Sequence, residues 1–438
     1  MDHPLPLPLP LPLPLPGPGP GPAARLTVIG CDGGALPAGA ADAVAAATLL
    51  VGGARHLEGV ISDAERIVLG DVAAAVRRLS GHEGPAVVLA SGDPGFFGIV
   101  RALRRAGLAP VVLPAVSSVA HAFARLGEPW DDVVVVSAHG RELRRAVNVC
   151  RSHRRVAVLT GPGAGPRELA AALVGVPRRI VVASRLGTPD ETLTGPEHAA
   201  EPNVTLVLGT APHADADAHV ETRHADADAH VETRHGGGGG GRGGPARWLA
   251  GADPGPSGWA LPEAAFEHRD SMITKAEVRA LVLARLGPRR GDLIWDVGAG
   301  SGSVAVECAR LGAAAIAVER DPGGCATISR NAARHDVDVQ VVEGAAPAAL
   351  AGLPEPDAVF VGGGGPEVLT ACLRRRPARV VAAFAAVERV GAALAALTAA
   401  GYLAEGTQLQ ANRLTPLPDG THRLAATNPV HVVWGELT

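Results

Sequence analysis

At 438 residues the chain can hold more than one hydrophobic core, and 47% apolar with 19% charged residues is a globular composition rather than a disordered one. A formal net charge of −4 argues against a nucleic-acid partner, and no apolar run approaches the ~20 residues of a membrane-spanning helix. Cys31, Cys150, Cys308, Cys325 and Cys372 form no CxxC pair, so they read as reduced thiols of a cytoplasmic protein, with neither disulfides nor a zinc site.

Residues 1–23 alternate Pro with Leu and then Gly. That excludes helix and central strand, and leaves an extended, disordered tail without the basic start of a signal peptide. Structure is expected from ARLTVIG (24–30) to VTLVLGT (204–210). Between them AVVLA (86–90), VVVVS (133–137), VAVLT (156–160) and IVVAS (180–184) alternate with Ala- and Arg-rich helical stretches, the pattern of an α/β domain with largely parallel sheet. The composition then breaks. HADADAHVETR occurs at 213–223 and again at 224–234, followed by His235 and six glycines. His213, His219, His224, His230 and His235 with their interleaved aspartates could ligate a metal, but the stretch reads as a linker over 212–258 whose ligands have no fixed geometry.

A second α/β pattern fills 259–438. It predicts a helix over 274–287, the strand DLIWDV (292–297), a helix over 303–312, and the strands AIAVE (315–319), VQVVEG (339–344) and DAVFVGG (357–363). NPVHVVWGEL (428–437) is expected to be an antiparallel edge strand. Alternation of this kind behind a glycine-rich first turn is Rossmann-like. In that turn Asp296 ends the strand, and Gly298, Gly300 and Gly302 alternate with Ala299 and Ser301. Glycines let a ligand lie against bare backbone. A GxGxxG count from Gly298 meets Ser303 at its last position, whereas DxGxGxG is met throughout, which favours S-adenosylmethionine over a nicotinamide dinucleotide. No GK[ST] follows, so a phosphate loop is excluded. Glu319 closes the next strand, where an acid can accept from the ribose hydroxyls of either ligand. A purely structural glycine turn is the remaining reading.

Residues 271–307, with AVERDP (317–322), VVEGAAPAAL (341–350), PDAVFVGGGG (356–365) and NPV (428–430), resemble the carbon-15 methyltransferase/decarboxylase modules of corrin biosynthesis, which have the class I methyltransferase fold. LLVGGARHL (49–57), LASGDPGFFGI (89–99), LPAVSSVAHAFARLGEPWDD (113–132), VVSAHGR (135–141) and RLGTPDE (185–191) resemble carbon-5 members of the two-lobed tetrapyrrole methylase family. Fused in this order, the halves resemble the precorrin-6B C5,C15-methyltransferase (decarboxylating) family.

The resemblance implies a carbon-5 domain over 24–211 and a carbon-15 domain over 259–438. It implies S-adenosylmethionine at two sites: Thr274, Asp296, Gly298 through Gly302, Glu319 and Ala346 in the second half, and Gly92, Asp93, Pro94, Ser117 and Ser118 in the first. The implied reaction is methylation of precorrin-6B at carbons 5 and 15, with decarboxylation of the ring-C acetate, giving precorrin-8x. The partners implied are an anionic tetrapyrrole and further copies of the chain in a homo-oligomer, with no nucleic acid and no membrane. The macrocycle's meso carbons are nucleophilic and its conjugated system takes up the electrons of decarboxylation, so no catalytic triad or carboxylate pair is demanded. Asp93, His139, Asn412 and Arg413 are the candidates for catalysis, and each of them could equally be structural. The chain departs from the family at Ala345, where Asp is usual, at Ala115, where Gly is usual, and in GCDGG (30–34). Alanine at a positive φ would be strained. These departures leave open a chain in which one half is only a scaffold; a nicotinamide-dependent oxidoreductase is the other alternative.

Overall fold

The structure, a computed structural model, describes residues 26–210, 258–269 and 273–437. The proline-rich tail, the His/Asp repeat and all but Gly258 of the linker lie outside the described residues. The chain divides into two compact units, one closing at Leu126 and taking back Leu186–Asp190, the other made of Gly127–Arg185 and the chain from Glu191 onward.

The first unit is built on a parallel five-stranded sheet in the order Glu65–Val68, Leu49–Gly52, Ala86–Ser91, Leu26–Cys31, Val111–Leu113. Its central strands read as continuous apolar runs because both faces are covered, and successive side chains alternate between them. Val28, Val51 and Val88 pack with Leu79 and Leu103 on one face, while Ile29, Leu50 and Leu89 pack with Val44 and Leu57 on the other.

The second unit contains two sheets. The smaller has the order Val134–Ser137, Arg155–Leu159, Asn203–Gly209, Arg178–Ser184, Thr192–Thr194. Only its first pair is parallel; the other three pairings are antiparallel. The first half is largely parallel as expected, in five of its eight pairings among the described residues, and the antiparallel ones are confined to this sheet. Asn203–Gly209 lies between two neighbours and is covered on both faces, so its apolar run looks like a parallel strand although its direction is reversed.

The larger sheet has seven strands in the order Gln340–Glu343, Ala314–Glu319, Leu293–Val297, Ala358–Val361, Arg379–Phe384, Val430–Leu437, Tyr402–Leu409. The first five are parallel and the last two antiparallel. Val430–Leu437 is antiparallel as expected but is not an edge. Tyr402–Leu409 lies outside it, and its exposed Glu405, Gly406 and Gln408 hide it from a reading based on apolar runs. The strand order reverses between Leu293–Val297 and Ala358–Val361, which sets a crevice at the carboxyl ends of those two strands.

At the opposite ends of the same strands, the helix Leu143–Ser152 packs against the larger sheet. Arg144 donates to both oxygens of Asp357, and Arg145 pairs with Asp292 at 2.6 Å. The buried Asn148 donates to the Gly291 carbonyl at 3.1 Å, and Arg178 reaches Asp338 at 2.8 Å.

Among the described residues no helix is long and apolar enough to cross a membrane, and no group of three or more His, Cys, Asp or Glu side chains could hold a metal. All five cysteines are free.

Candidate cofactor and substrate site

The glycine turn sits in the crevice of the larger sheet. Gly298, Gly300 and Gly302 all have positive φ, so an L side chain would be strained at each. Space is short as well. A Cβ on Gly298 would lie 2.8 Å from the Gly363 nitrogen, and one on Gly302 would lie 2.8 Å from the Ile328 side chain. The run Gly362–Gly365 therefore has a structural purpose: its backbone lies directly against the turn, with the Gly362 N–H donating to the Val297 carbonyl at 2.9 Å.

Two acids converge on the turn. Asp296 is 1% exposed. Its Oδ2 accepts from the Ala305 N–H at 2.9 Å, in the helix Ser303–Arg310, whereas Oδ1 has no partner among the described residues. Burial, reinforced by the charge of Glu319, pushes its pKa up to about 7. Glu319 accepts from the Gly300 N–H through Oε2 at 2.8 Å, and through Oε1 from the N–H groups of Arg320 and Asp321. The acid expected to hold a ribose thus holds the turn in this structure, with one acceptor site to spare.

Residues that motif reading overlooked complete the support. Gly324, near the start of the helix Pro322–Arg334, leaves room for Glu319: a Cβ there would lie 2.8 Å from its Cγ. The buried Asn331 donates to the Ser301 carbonyl at 2.8 Å and to the Glu267 carbonyl at 2.9 Å, tying the segment before the domain to the turn. The GG pair in DPGGC was the available signal for Gly324; Asn331 had none.

Thr274 precedes the helix Ala276–Leu286, and its carbonyl accepts from Arg279 at 2.5 Å. Arg279 and Glu307, both fully buried, pair at 3.3 Å. Ala346 packs on the sheet's core, in the loop whose Gly344 N–H donates to the Glu319 carbonyl at 2.8 Å. Asn412 and Arg413 open a two-stranded hairpin, Asn412–Pro416 with His422–Ala426. Arg413 is no free clamp: it donates to both oxygens of Glu263 and both of Glu277, at 2.6 to 3.1 Å. Those bonds hold Glu263 down to about 2 and lower Glu277 as well.

In the first unit, the strands Leu26–Cys31 and Ala86–Ser91 end side by side. A Cβ on Gly30 would lie 2.6 Å from the Ala115 nitrogen and 2.7 Å from the Gly92 carbonyl oxygen. Gly92 has φ +61, and its N–H donates to the Cys31 carbonyl at 2.7 Å. Asp93 accepts from the Gly95 N–H at 2.8 Å, and Pro94 follows it in the same tight turn. Ser117 caps the helix Ser118–Leu126 by accepting from the Ala120 N–H at 3.1 Å. Ala115 does not have a positive φ, so the strain expected of it is absent.

Beside this turn lies a cluster drawn from two motifs of the resemblance, LLVGGARHL (49–57) and LASGDPGFFGI (89–99), in which Arg55 and His56 have no assigned role. His56 Nε2 is 2.8 Å from Ser91 Oγ, and Arg55 donates to Ser91 Oγ at 2.8 Å and to His56 Nε2 at 3.3 Å. Burial and the Arg55 charge push His56 down to about 4. His139, in the second unit, stands 3.3 Å from the Thr160 carbonyl oxygen, its ring over Gly161 where a Cβ would collide with it.

A switch-point glycine turn in a seven-stranded sheet, preceded along the chain by two further α/β sheets, defines a methyltransferase of two fused parts. Residues 264–434 match the precorrin methyltransferase domain family, and residues 26–200 match the tetrapyrrole (corrin/porphyrin) methylases. A Sinorhizobium protein named precorrin-6Y C(5,15)-methyltransferase [decarboxylating] is 40% identical over 336 residues, 74% of each chain. A Mycobacterium tuberculosis protein of the same name is 36% identical over 69% of this chain and 70% of its own. A Pyrobaculum calidifontis protein named probable cobalt-precorrin-6B C(15)-methyltransferase (decarboxylating) is 37% identical, covering 40% of this chain and 93% of that one. The chain belongs to the precorrin-6Y C5,15-methyltransferase (decarboxylating) family.

Proposed function

We propose that this enzyme methylates precorrin-6B at carbons 5 and 15 with S-adenosylmethionine, decarboxylates the ring-C acetate, and so yields precorrin-8x in cobalamin biosynthesis. The reading assigns carbon 5 to residues 24–211 and carbon 15 to residues 259–438. The observation that carries it is the turn Gly298–Gly302, where bare backbone meets a buried carboxyl with one unpartnered oxygen, Asp296 Oδ1. Both features fit the cofactor: a Cβ would close the cradle, and an orphaned acidic oxygen suits a cationic amine. Glu319 retains one acceptor site, on Oε2, for a ribose hydroxyl, with Thr274 and Ala346 on the flanking loops. Gly92, Asp93, Pro94, Ser117 and Ser118 would hold the second copy. Bound there, the cofactor supplies an electrophilic methyl group. The chain's task is then to orient a carbon nucleophile, an effect that can reach roughly 7–11 kcal/mol.

Titration of the full chain with S-adenosylhomocysteine tests this reading. Two sites per chain are expected, falling to one in Gly300→Arg, and products from precorrin-6B are expected to gain two methyl groups and lose one carboxyl. One site in the unaltered chain would instead favour a half that is only a scaffold, a reading that the relaxed backbone at Ala115 does not favour. The same proposal has the enzyme act in the cytoplasm as a homo-oligomer, which fractionation and sedimentation would test.

A further inference from the structure

We propose that Arg55 is a carboxylate-binding residue for the tetrapyrrole at the carbon-5 site, held in position by His56 and Ser91. The inference rests on the reading that the first half methylates carbon 5. It starts from an imbalance of charge. Exposed arginines commonly pair with acids, but the two side chains that Arg55 engages are both neutral acceptors. Burial lowers its pKa, and the one group opposing that shift is the Cys31 thiol, with no carboxylate contributing. Among the described residues Arg55 forms no ion pair, and its Nη1 donates to nothing.

The surroundings suit a ligand anchor. Arg55 follows the strand Leu49–Gly52, and Ser91 ends Ala86–Ser91 immediately before Gly92, Asp93 and Pro94. The cluster therefore lies at the carboxyl ends of parallel strands, where open α/β sheets bind ligands. Arg55 Nε donates to His56 Nε2 and Arg55 Nη2 to Ser91 Oγ, and Ser91 Oγ lies 2.8 Å from the same imidazole nitrogen. This arrangement fixes the guanidinium plane and leaves Nη1 without an acceptor among the described residues. A planar fork with fixed orientation and no internal acid is complementary to a carboxylate, and the substrate class proposed here carries several.

The test uses the full chain, precorrin-6B and S-adenosylmethionine, with methylation at each carbon followed by mass spectrometry against substrate concentration. Methylation at carbon 15 in the same molecules reports folding. In Arg55→Gln, KM for carbon-5 methylation is expected to rise about 10- to 100-fold, the loss of charge-assisted hydrogen bonds. Its kcat is expected to hold, as is the carbon-15 rate, and product methylated only at carbon 15 accumulates. Arg55→Lys is expected to recover part of the KM, and Ser91→Ala to raise it by a smaller factor. An unchanged KM in Arg55→Gln, or a fall in kcat alone, would overturn the assignment. A wild-type chain that methylates carbon 15 but never carbon 5 would overturn the underlying reading, and the assignment with it.

Discussion

Arg144 donates to both carboxylate oxygens of Asp357, at 2.9 and 2.8 Å, across 213 residues of sequence. Asp357 also accepts from the Leu293 N–H at 2.8 Å, at the start of the strand that carries the glycine turn. One carboxylate thus joins the smaller sheet's docking helix to the end of the larger sheet remote from the turn.

Removing Arg144 leaves a largely buried acid short of its donors. With Arg144 at 41% side-chain exposure, solvent screens part of the loss. Arg144→Ala is expected to cost about 1–3 kcal/mol in urea unfolding, below the cost for a fully buried pair. Arg141→Ala, an exposed position just before the helix, is the control and is expected to be near neutral. Equal effects from both would mean that the docking contributes nothing.

Asp296 makes stability depend on pH with an identifiable sign. Its pKa rises from 3.8 unfolded to about 7 folded, so between those values the native state binds the extra proton. Stability then falls as pH rises through that window. Asp296→Asn is expected to remove this component, so the difference in unfolding free energy between pH 5 and pH 8 is smaller in the variant. An identical pH profile in the two proteins would refute the burial argument.

Gly298→Ala and Gly302→Ala differ in what the new methyl group meets. At Gly298 it meets backbone, the Gly363 nitrogen, and at Gly302 it meets the Ile328 side chain. Both variants carry the left-handed penalty of roughly 1–2 kcal/mol. Ile328→Ala, which removes the Cγ1 and Cγ2 atoms that the new Cβ would meet, is expected to restore part of the S-adenosylhomocysteine affinity of Gly302→Ala, relative to Ile328→Ala alone, and none of Gly298→Ala. Rescue of both, read by titration, would show that the Gly363 backbone yields.

Arg413 bonded to Glu263 and Glu277 predicts acid sensitivity. The pKa of Glu263 drops from 4.5 to about 2, so the stability it contributes is present above about 4.5 and is lost as pH falls toward about 2. Arg413→Met is expected to flatten that loss and to cost about 1 kcal/mol at neutral pH, as for a network of partly exposed ion pairs. If Arg413 instead grips substrate, the variant would raise KM at carbon 15 and leave the acid limb of the unfolding curve unchanged.

The turn was legible in the sequence because its causes are local. Asp296 and three alternating glycines must adjoin one another along the chain to end a strand, turn through positive φ and open a helix, so the seven residues Asp296–Gly302 hold the whole device. The strands Leu26–Cys31, Ala86–Ser91, Leu293–Val297, Ala314–Glu319 and Ala358–Val361 were legible for a similar reason: both faces are covered, and each residue reports its own burial, whereas the more exposed Glu65–Val68 and Val111–Leu113 were not. Asn203–Gly209 and Val430–Leu437 show the limit. An apolar run records burial but neither direction nor neighbours, so the direction of a central antiparallel strand went unread and an interior strand was read as an edge.

Tertiary structure decided the roles of the charged residues. Arg144, Arg145 and Arg413 look in sequence like solvated charges, because an arginine's sequence carries no mark of the acid it will meet. Their partners Asp357, Asp292, Glu263 and Glu277 lie more than 100 residues away. Arg55 is the converse case. Its neighbours in sequence do not show that, once folded, its charge would meet only a serine and a neutral histidine. The sequence by itself determined where backbone must be bare; folding alone determined which charges are paired, because pairing depends on distances that only the packed chain sets.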